Sequence, residues 1–208
     1  MKELKMFIDG RSLINESGKW IKVLNPSTEE VISLMPRNRG TVEDARKAID
    51  AAEKAQNQWE RTPSIERAAY LTKIAAGIRK REKELTDIIV REGGKTQGLA
   101  NVEVLFTADY MDYMAGWARR YEGEIIPSDR PHENIFLFKR PIGVTTGILP
   151  WNFPFFLVAR KAAPALITGN TIVIKPSQLT PENAYVFAQI VEEAGLPAGV
   201  FNLVNGRG

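Results

Sequence analysis

From Gly143 onward the sequence alternates between short apolar runs and amphipathic stretches, and this alternation constrains the fold more than any other feature. Val144-Thr145-Thr146-Gly147-Ile148-Leu149 is the first run, Thr171-Ile172-Val173-Ile174 the second and Val200-Phe201-Asn202-Leu203-Val204 the third. Two helical segments separate them. The first begins near Pro154 and ends about Ile167. The second starts at Pro181, with Thr180 placed to cap it, and is closed by Gly195-Leu196-Pro197. Helices alternating with short apolar strands predict a parallel sheet with right-handed crossovers. Ligands of such sheets bind at the carboxyl ends of the strands. Asn152, Lys175 and Gly206-Arg207-Gly208 each follow a strand directly, which marks them as candidate site residues.

The first forty residues read as short strands and turns. Met6-Phe7-Ile8 leads into Asp9-Gly10, a hairpin turn signal. Trp20-Ile21-Lys22-Val23-Leu24 and Glu30-Val31-Ile32-Ser33-Leu34 follow, the latter closed by Pro36. The middle is helical. Thr41, with Asp44 three residues on, suits a cap, and Val42, Ala45, Ala48, Ile49, Ala52 and Trp59 give one apolar face. Pro63 is expected at the first position of a second helix. A third, holding Leu85, Ile88 and Ile89, should stop at Gly93-Gly94. A fourth, over about residues 99–121, carries Val102, Leu105, Phe106, Tyr113 and Trp117 as its expected apolar side. After Gly123, Glu124-Ile125-Ile126 and Ile135-Phe136-Leu137-Phe138 read as a β-hairpin standing off the body.

The predicted class is α/β. A region of helices and short strands (1–122) leads through a protruding hairpin (123–141) into the first β-α-β-α-β part of a Rossmann-like sheet (142–208). A glycine-rich turn with no helix after it closes the sequence, so the chain is expected to stop inside a domain and to leave a sticky strand edge.

Composition narrows the function classes. The 28 basic and 25 acidic residues are interspersed, giving a net charge of +3, which fits solvated helix faces and not a nucleic-acid patch. No run reaches the roughly 18 apolar residues of a membrane span, and Met1-Lys2-Glu3-Leu4-Lys5 lacks the apolar stretch of a signal peptide. With no cysteine there is neither a disulfide framework nor a thiolate zinc site. A cytoplasmic protein without a metal centre is expected.

Asn152 has two readings at this point: a cap on the helix after it, or a side-chain amide donating into a cleft, where it would stabilise an oxyanion. Lys175 suits a nucleotide hydroxyl or phosphate, or is a surface lysine at a strand exit; Gln178 is placed to share its ligand. Three other patterns fail. Gly94-Lys95-Thr96 lacks the earlier glycine of a P-loop, because Ile89 stands there, and it follows a helix. Gly206-Arg207-Gly208 starts a dinucleotide fingerprint without completing it. His132, the single histidine, lies in a turn-rich stretch and reads as a surface residue.

Three segments taken together resemble aldehyde dehydrogenases in unbroken order: Gly143-Val144-Thr145-Thr146-Gly147-Ile148-Leu149-Pro150-Trp151-Asn152-Phe153-Pro154; Pro164-Ala165-Leu166-Ile167-Thr168-Gly169-Asn170-Thr171-Ile172-Val173-Ile174-Lys175-Pro176-Ser177; and Gly195-Leu196-Pro197-Ala198-Gly199-Val200-Phe201-Asn202. Asn25-Pro26 and Glu92-Gly93-Gly94-Lys95 extend the likeness over essentially the whole chain. Phe106-Thr107-Ala108-Asp109-Tyr110 and the stretch from Pro154 through Lys161 resemble the branch that handles lactaldehyde and glycolaldehyde.

The resemblance implies that Asn152 joins a cysteine backbone N–H in the oxyanion hole and that Lys175 binds the adenosine ribose of NAD or NADP. It implies that Ile148, Leu149, Pro150 and Trp151 line the cofactor cleft, that Gly208 lies near the adenine, and that Phe153 and Arg160 wall the aldehyde pocket. Arg160 stands where many relatives carry an apolar or aromatic residue, which would favour small hydroxylated or carboxylated aldehydes. At Gln178 many NAD-preferring relatives carry a glutamate; an uncharged residue there would tolerate a 2′-phosphate. The family's nucleophilic cysteine and general-base glutamate lie beyond Gly208, so the chain alone is expected to be inactive. The hairpin matches an oligomerisation element, which implies a homo-oligomer. The competing reading is a non-catalytic module that binds a dinucleotide or joins full-length subunits, although such a module has no need of Asn152. A Rossmann dehydrogenase of another kind is disfavoured, since neither a complete G-x-G-x-x-G nor a Tyr-x-x-x-Lys pair is present.

Overall fold

The structure, a computed structural model, describes residues 1–13, 18–36 and 42–206. Three short strands open the chain: β1 (Lys2–Glu3), β2 (Met6–Ile8) and β3 (Arg11–Leu13). Asp9 and Gly10 both take positive φ, 53° and 71°, the geometry of the tight turn that Asp-Gly predicts. β2 and β3 pair antiparallel through it. β4 (Trp20–Leu24) and β5 (Val31–Pro36) pair antiparallel, and β1 adds to β5 in parallel, giving a small three-stranded sheet.

Four helices follow: α1 (Glu43–Arg61), α2 (Ser64–Lys80), α3 (Glu82–Gly93) and α4 (Gln97–Ala115), the last ending in a 3-10 turn, Gly116–Arg119. Pro63 sits one residue outside α2, at the N-cap, and not at its first helical position. Gly94 closes α3 in the left-handed conformation, with its N–H on the Val90 carbonyl. The expected cap residue Thr41 lies outside the described residues.

α4 is reversed relative to its predicted face. Its buried side is Ala100, Glu103, Val104, Thr107, Ala108 and Met111, whereas Val102, Leu105, Phe106, Tyr113 and Trp117 are exposed. The helix is wedged against α2, α3 and α5 (Phe156–Ile167). Small side chains permit that close approach, and the large apolar ones are left outside.

The strands β6 (Glu124–Pro127) and β7 (Asn134–Leu137) form a separate two-stranded antiparallel ribbon, exposed along its whole length. Then β8 (Val144–Ile148), α5, β9 (Thr171–Lys175), α6 (Glu182–Glu193) and β10 (Phe201–Leu203) run in the predicted order. β8, β9 and β10 are parallel neighbours. α6 begins after Pro181 without a side-chain cap, so Thr180 does not serve as one. The buried Glu92 carboxylate accepts the Glu182 N–H instead, at 3.0 and 3.1 Å.

The main sheet has five strands in the order β3-β2-β10-β9-β8. It is mixed, because the N-terminal hairpin joins it antiparallel beside β10, with Leu203 opposite Phe7. Met6, Phe7 and Ile8 are all buried, as a strand covered on both faces requires. The edge expected to lie open is therefore closed at β10 and open at β8, which has no outer neighbour among the described residues.

Alternate residues of each strand enter two cores. Ile172, Ile174, Phe201 and Leu203 face α5 and α6, together with Phe155 and Phe187. Val173, Val204 and Ile8 face Ala48 and Ala52 of α1. Gly147 lets β8 approach α5, since a Cβ there would lie 2.6 Å from the Ile174 side chain and 3.3 Å from that of Lys161. Arg67 closes the other end of α5, with its Nε donating to the Ile167 carbonyl at 3.0 Å and a second nitrogen to the Thr62 carbonyl. No helix among the described residues is long and apolar enough to cross a membrane.

Candidate active site

Parallel strands end together, and here the ends of β8 and β9 are tied by the Leu149 N–H donating to the Lys175 carbonyl at 3.0 Å. Residues 150–154 and 176–180 therefore emerge side by side at the carboxyl edge of the sheet. Ile148 and Trp151 are exposed at this edge and Pro150 lies between them, also exposed. Leu149 is not: its side chain is 5% exposed and belongs to the core. Gly208 lies outside the described residues.

Asn152 does not cap α5. The N-cap position is Phe155, and its side chain makes no capping bond. The function is supplied from α4: Glu103 Oε1 accepts the N–H groups of Phe155 and Phe156 at 3.0 and 3.1 Å. A carboxylate at the positive end of a helix is favourable, and it satisfies two donors that the helix itself leaves open. The backbone carbonyl of Asn152 accepts from Lys95 Nζ at 2.8 Å. No described residue hydrogen-bonds the Asn152 side chain, which lies exposed with its amide free to donate. Of the two sequence readings of Asn152, the cap is therefore excluded.

Phe153 is half-exposed, with Lys95 Nζ 4.0 Å above its ring. Phe156 packs on Phe106 and Tyr110 of α4, ring centroids 4.7 and 5.5 Å apart. One turn beyond Phe156, Arg160 is exposed. The Tyr110 phenol is pushed up by burial, with the Arg160 charge opposing that rise and Tyr113 adding to it.

At the end of β9, Lys175 is half-buried, and burial lowers its pKa. Its Nζ makes one long bond, 3.3 Å to the Pro176 carbonyl, which leaves donors free. Gln178 Oε1 is buried and has no partner among the described residues. A buried acceptor without a donor costs free energy unless something binds it. A lysine with donors to spare at a strand end could hold the hydroxyls of a nucleotide ribose.

The sequence reading missed Glu103 and the bond from Lys95 to Asn152. The available signal was a glutamate on the small-residue face of α4, three residues after Ala100 and four before Thr107. Such a charge has to be paired.

Residues 13–208 match the Aldehyde dehydrogenase family. The chain belongs to that family. It is 69% identical over 203 residues to lactaldehyde dehydrogenase of Escherichia coli, covering 98% of this chain and 42% of that protein. A crystal structure of lactaldehyde dehydrogenase from Escherichia coli superposes with a TM-score of 0.96 at 68% identity, over 99% of this chain and 43% of the solved one. A D-glyceraldehyde dehydrogenase (NADP(+)) of Thermoplasma acidophilum is 41% identical over 206 residues, 99% of this chain and 41% of the relative. The chain thus spans about 42% of the length of the curated relatives it matches. Its mixed α/β architecture is that of the NAD-binding part of aldehyde dehydrogenases.

Proposed function

We propose that this chain forms the cofactor-side portion of an NAD- or NADP-dependent aldehyde dehydrogenase that oxidises small hydroxyaldehydes such as lactaldehyde to carboxylic acids. The observation that carries the proposal is the Asn152 amide, held at the carboxyl edge of a parallel sheet with no described residue bound to it, at the same edge from which Lys175 and Gln178 emerge. Lys175 would donate to the adenosine ribose hydroxyls, with Gln178 placed to share the same ligand. Ile148, Pro150 and Trp151 offer exposed surface along the same edge. The dinucleotide, when bound, supplies the hydride acceptor.

Asn152 would donate to the aldehyde oxygen as it gains charge in the tetrahedral adduct. The attacking thiolate must come from elsewhere, because the chain has no cysteine. Gln178 carries no charge to repel a 2′-phosphate, and the D-glyceraldehyde dehydrogenase relative is named for NADP(+). Phe153 and Arg160 would face the aldehyde. A guanidinium donates to oxygen in fixed geometry, so Arg160 would select hydroxylated or carboxylated substrates. In a dehydrogenase carrying this segment, Arg160→Leu should narrow the preference in kcat/KM for lactaldehyde over propanal. An unchanged ratio would remove Arg160 from substrate recognition. The exposed hairpin of β6 and β7, the open edge of β8 and the apolar outer face of α4 favour assembly with further polypeptide, including a homo-oligomer.

Dinucleotide binding is testable on the chain itself. Calorimetric titration with NAD should give binding that Lys175→Ala weakens by about tenfold or more, the loss of one charge-assisted hydrogen bond. Equal affinity in parent and variant would show that the β9 end is not the ribose site.

A further inference from the structure

We propose that Lys95 and Glu103 form a positioning pair that sets Asn152 in place for the reaction, an inference that rests on the oxyanion role of Asn152 given above. The pair reaches the loop from outside. Lys95 lies just after α3 and Glu103 in the second turn of α4, and their side chains are 17% and 1% exposed. Lys95 Nζ and Glu103 Oε2 are 2.6 Å apart.

Glu103 uses both oxygens: one takes Lys95, the other the N–H groups of Phe155 and Phe156. Lys95 in turn donates to the Asn152 carbonyl at 2.8 Å and sits over the Phe153 ring at 4.0 Å. The loop is thereby gripped at the residue that carries the amide and at the following residues through to the start of α5. Its other end is tied to β9 through the Leu149 N–H. The Asn152 side chain itself has no hydrogen-bond partner among the described residues. A donor fixed in this manner needs no reorganisation when charge develops on the substrate oxygen, and small displacements of such a donor are costly in rate. Neither Lys95 nor Glu103 needs to touch substrate to act.

The geometry dictates which substitutions discriminate. Lys95→Met keeps the stem and removes the bond to the Asn152 carbonyl. Lys95→Arg keeps the charge and a donor. Glu103→Gln keeps the size but turns an amide nitrogen toward Lys95 or toward the two backbone N–H groups. In the 208-residue chain, Glu103→Gln should speed hydrogen exchange at the Phe155 and Phe156 amides; unchanged exchange overturns the grip on the loop.

The catalytic arm uses the chain joined to the remainder of Escherichia coli lactaldehyde dehydrogenase, assayed with lactaldehyde and NAD. Lys95→Met should lower kcat about tenfold to a hundredfold while both KM values stay near the parent's, and Lys95→Arg should recover part of the loss. Asn152→Ala should lower kcat by about 10²- to 10³-fold. Adding Lys95→Met to Asn152→Ala should then cost nothing further, because the lysine acts through the amide already removed. Losses that multiply, or that fall on KM, overturn the pair's positioning role. If Asn152→Ala loses rate and Lys95→Met does not, the pair fails and the oxyanion role stands. If Asn152→Ala loses no rate, both fail.

Discussion

Glu92 is 3% exposed and holds the N-terminus of α6 with both carboxylate oxygens. Burial raises its pKa well above the ordinary 4.5; the backbone N–H of Glu182 opposes that rise, the Glu182 charge adds to it, and the N–H of Asn183 and the Arg91 charge pull weakly the other way. An acid raised on folding binds more protons in the folded state than in the unfolded one. Its contribution is therefore fully present below 4.5 and is lost as the pH climbs through the raised folded value. Glu92→Gln keeps an oxygen to accept the Glu182 N–H and removes the titration. Denaturant midpoints measured from mildly acid to neutral pH should show the variant gaining on the parent as the pH rises. Parallel curves would mean that Glu92 does not titrate in this window. Single residues were unevenly legible in the sequence. Lys175 and Asn152 stood out because each follows a strand. Glu92 and Glu103 did not, because their partners are backbone N–H groups of helices 90 and 52 residues away.

Elements were legible where one physical signal dominated. The Asp-Gly turn, Gly94 as a helix stop, and the three parallel strands of the second half all follow from local chemistry. α4 was not legible in this way. Its large apolar residues suggested a buried face, yet close packing against α2, α3 and α5 selects alanine and threonine for that face. Leu99, Val102, Phe106 and Tyr113, each more than half exposed, are turned outward. The same limit applies to β2. A three-residue apolar run with a tight turn predicts a hairpin but cannot say which sheet it joins. That choice depends on β10, nearly two hundred residues later, whose outer edge β2 covers.

At the scale of the whole molecule, the chain is a mixed five-stranded sheet with helices on both faces. Its candidate site lies along one edge of that sheet, and its outer surface carries apolar side chains on α4 and on the β6–β7 ribbon. The site holds the exposed Asn152 amide and, at Lys175, a lysine with donors to spare, but the chain supplies no cysteine thiolate. Activity should therefore depend on polypeptide that this chain does not contain. The most direct measurement is NADH formation from lactaldehyde, by the purified 208-residue chain and by the same chain joined to the remainder of Escherichia coli lactaldehyde dehydrogenase. Turnover by the joined protein and none by the chain alone is the predicted result. Turnover by the chain alone, or a joined protein that folds and binds NAD yet forms no NADH, would contradict the assignment of this site to aldehyde oxidation.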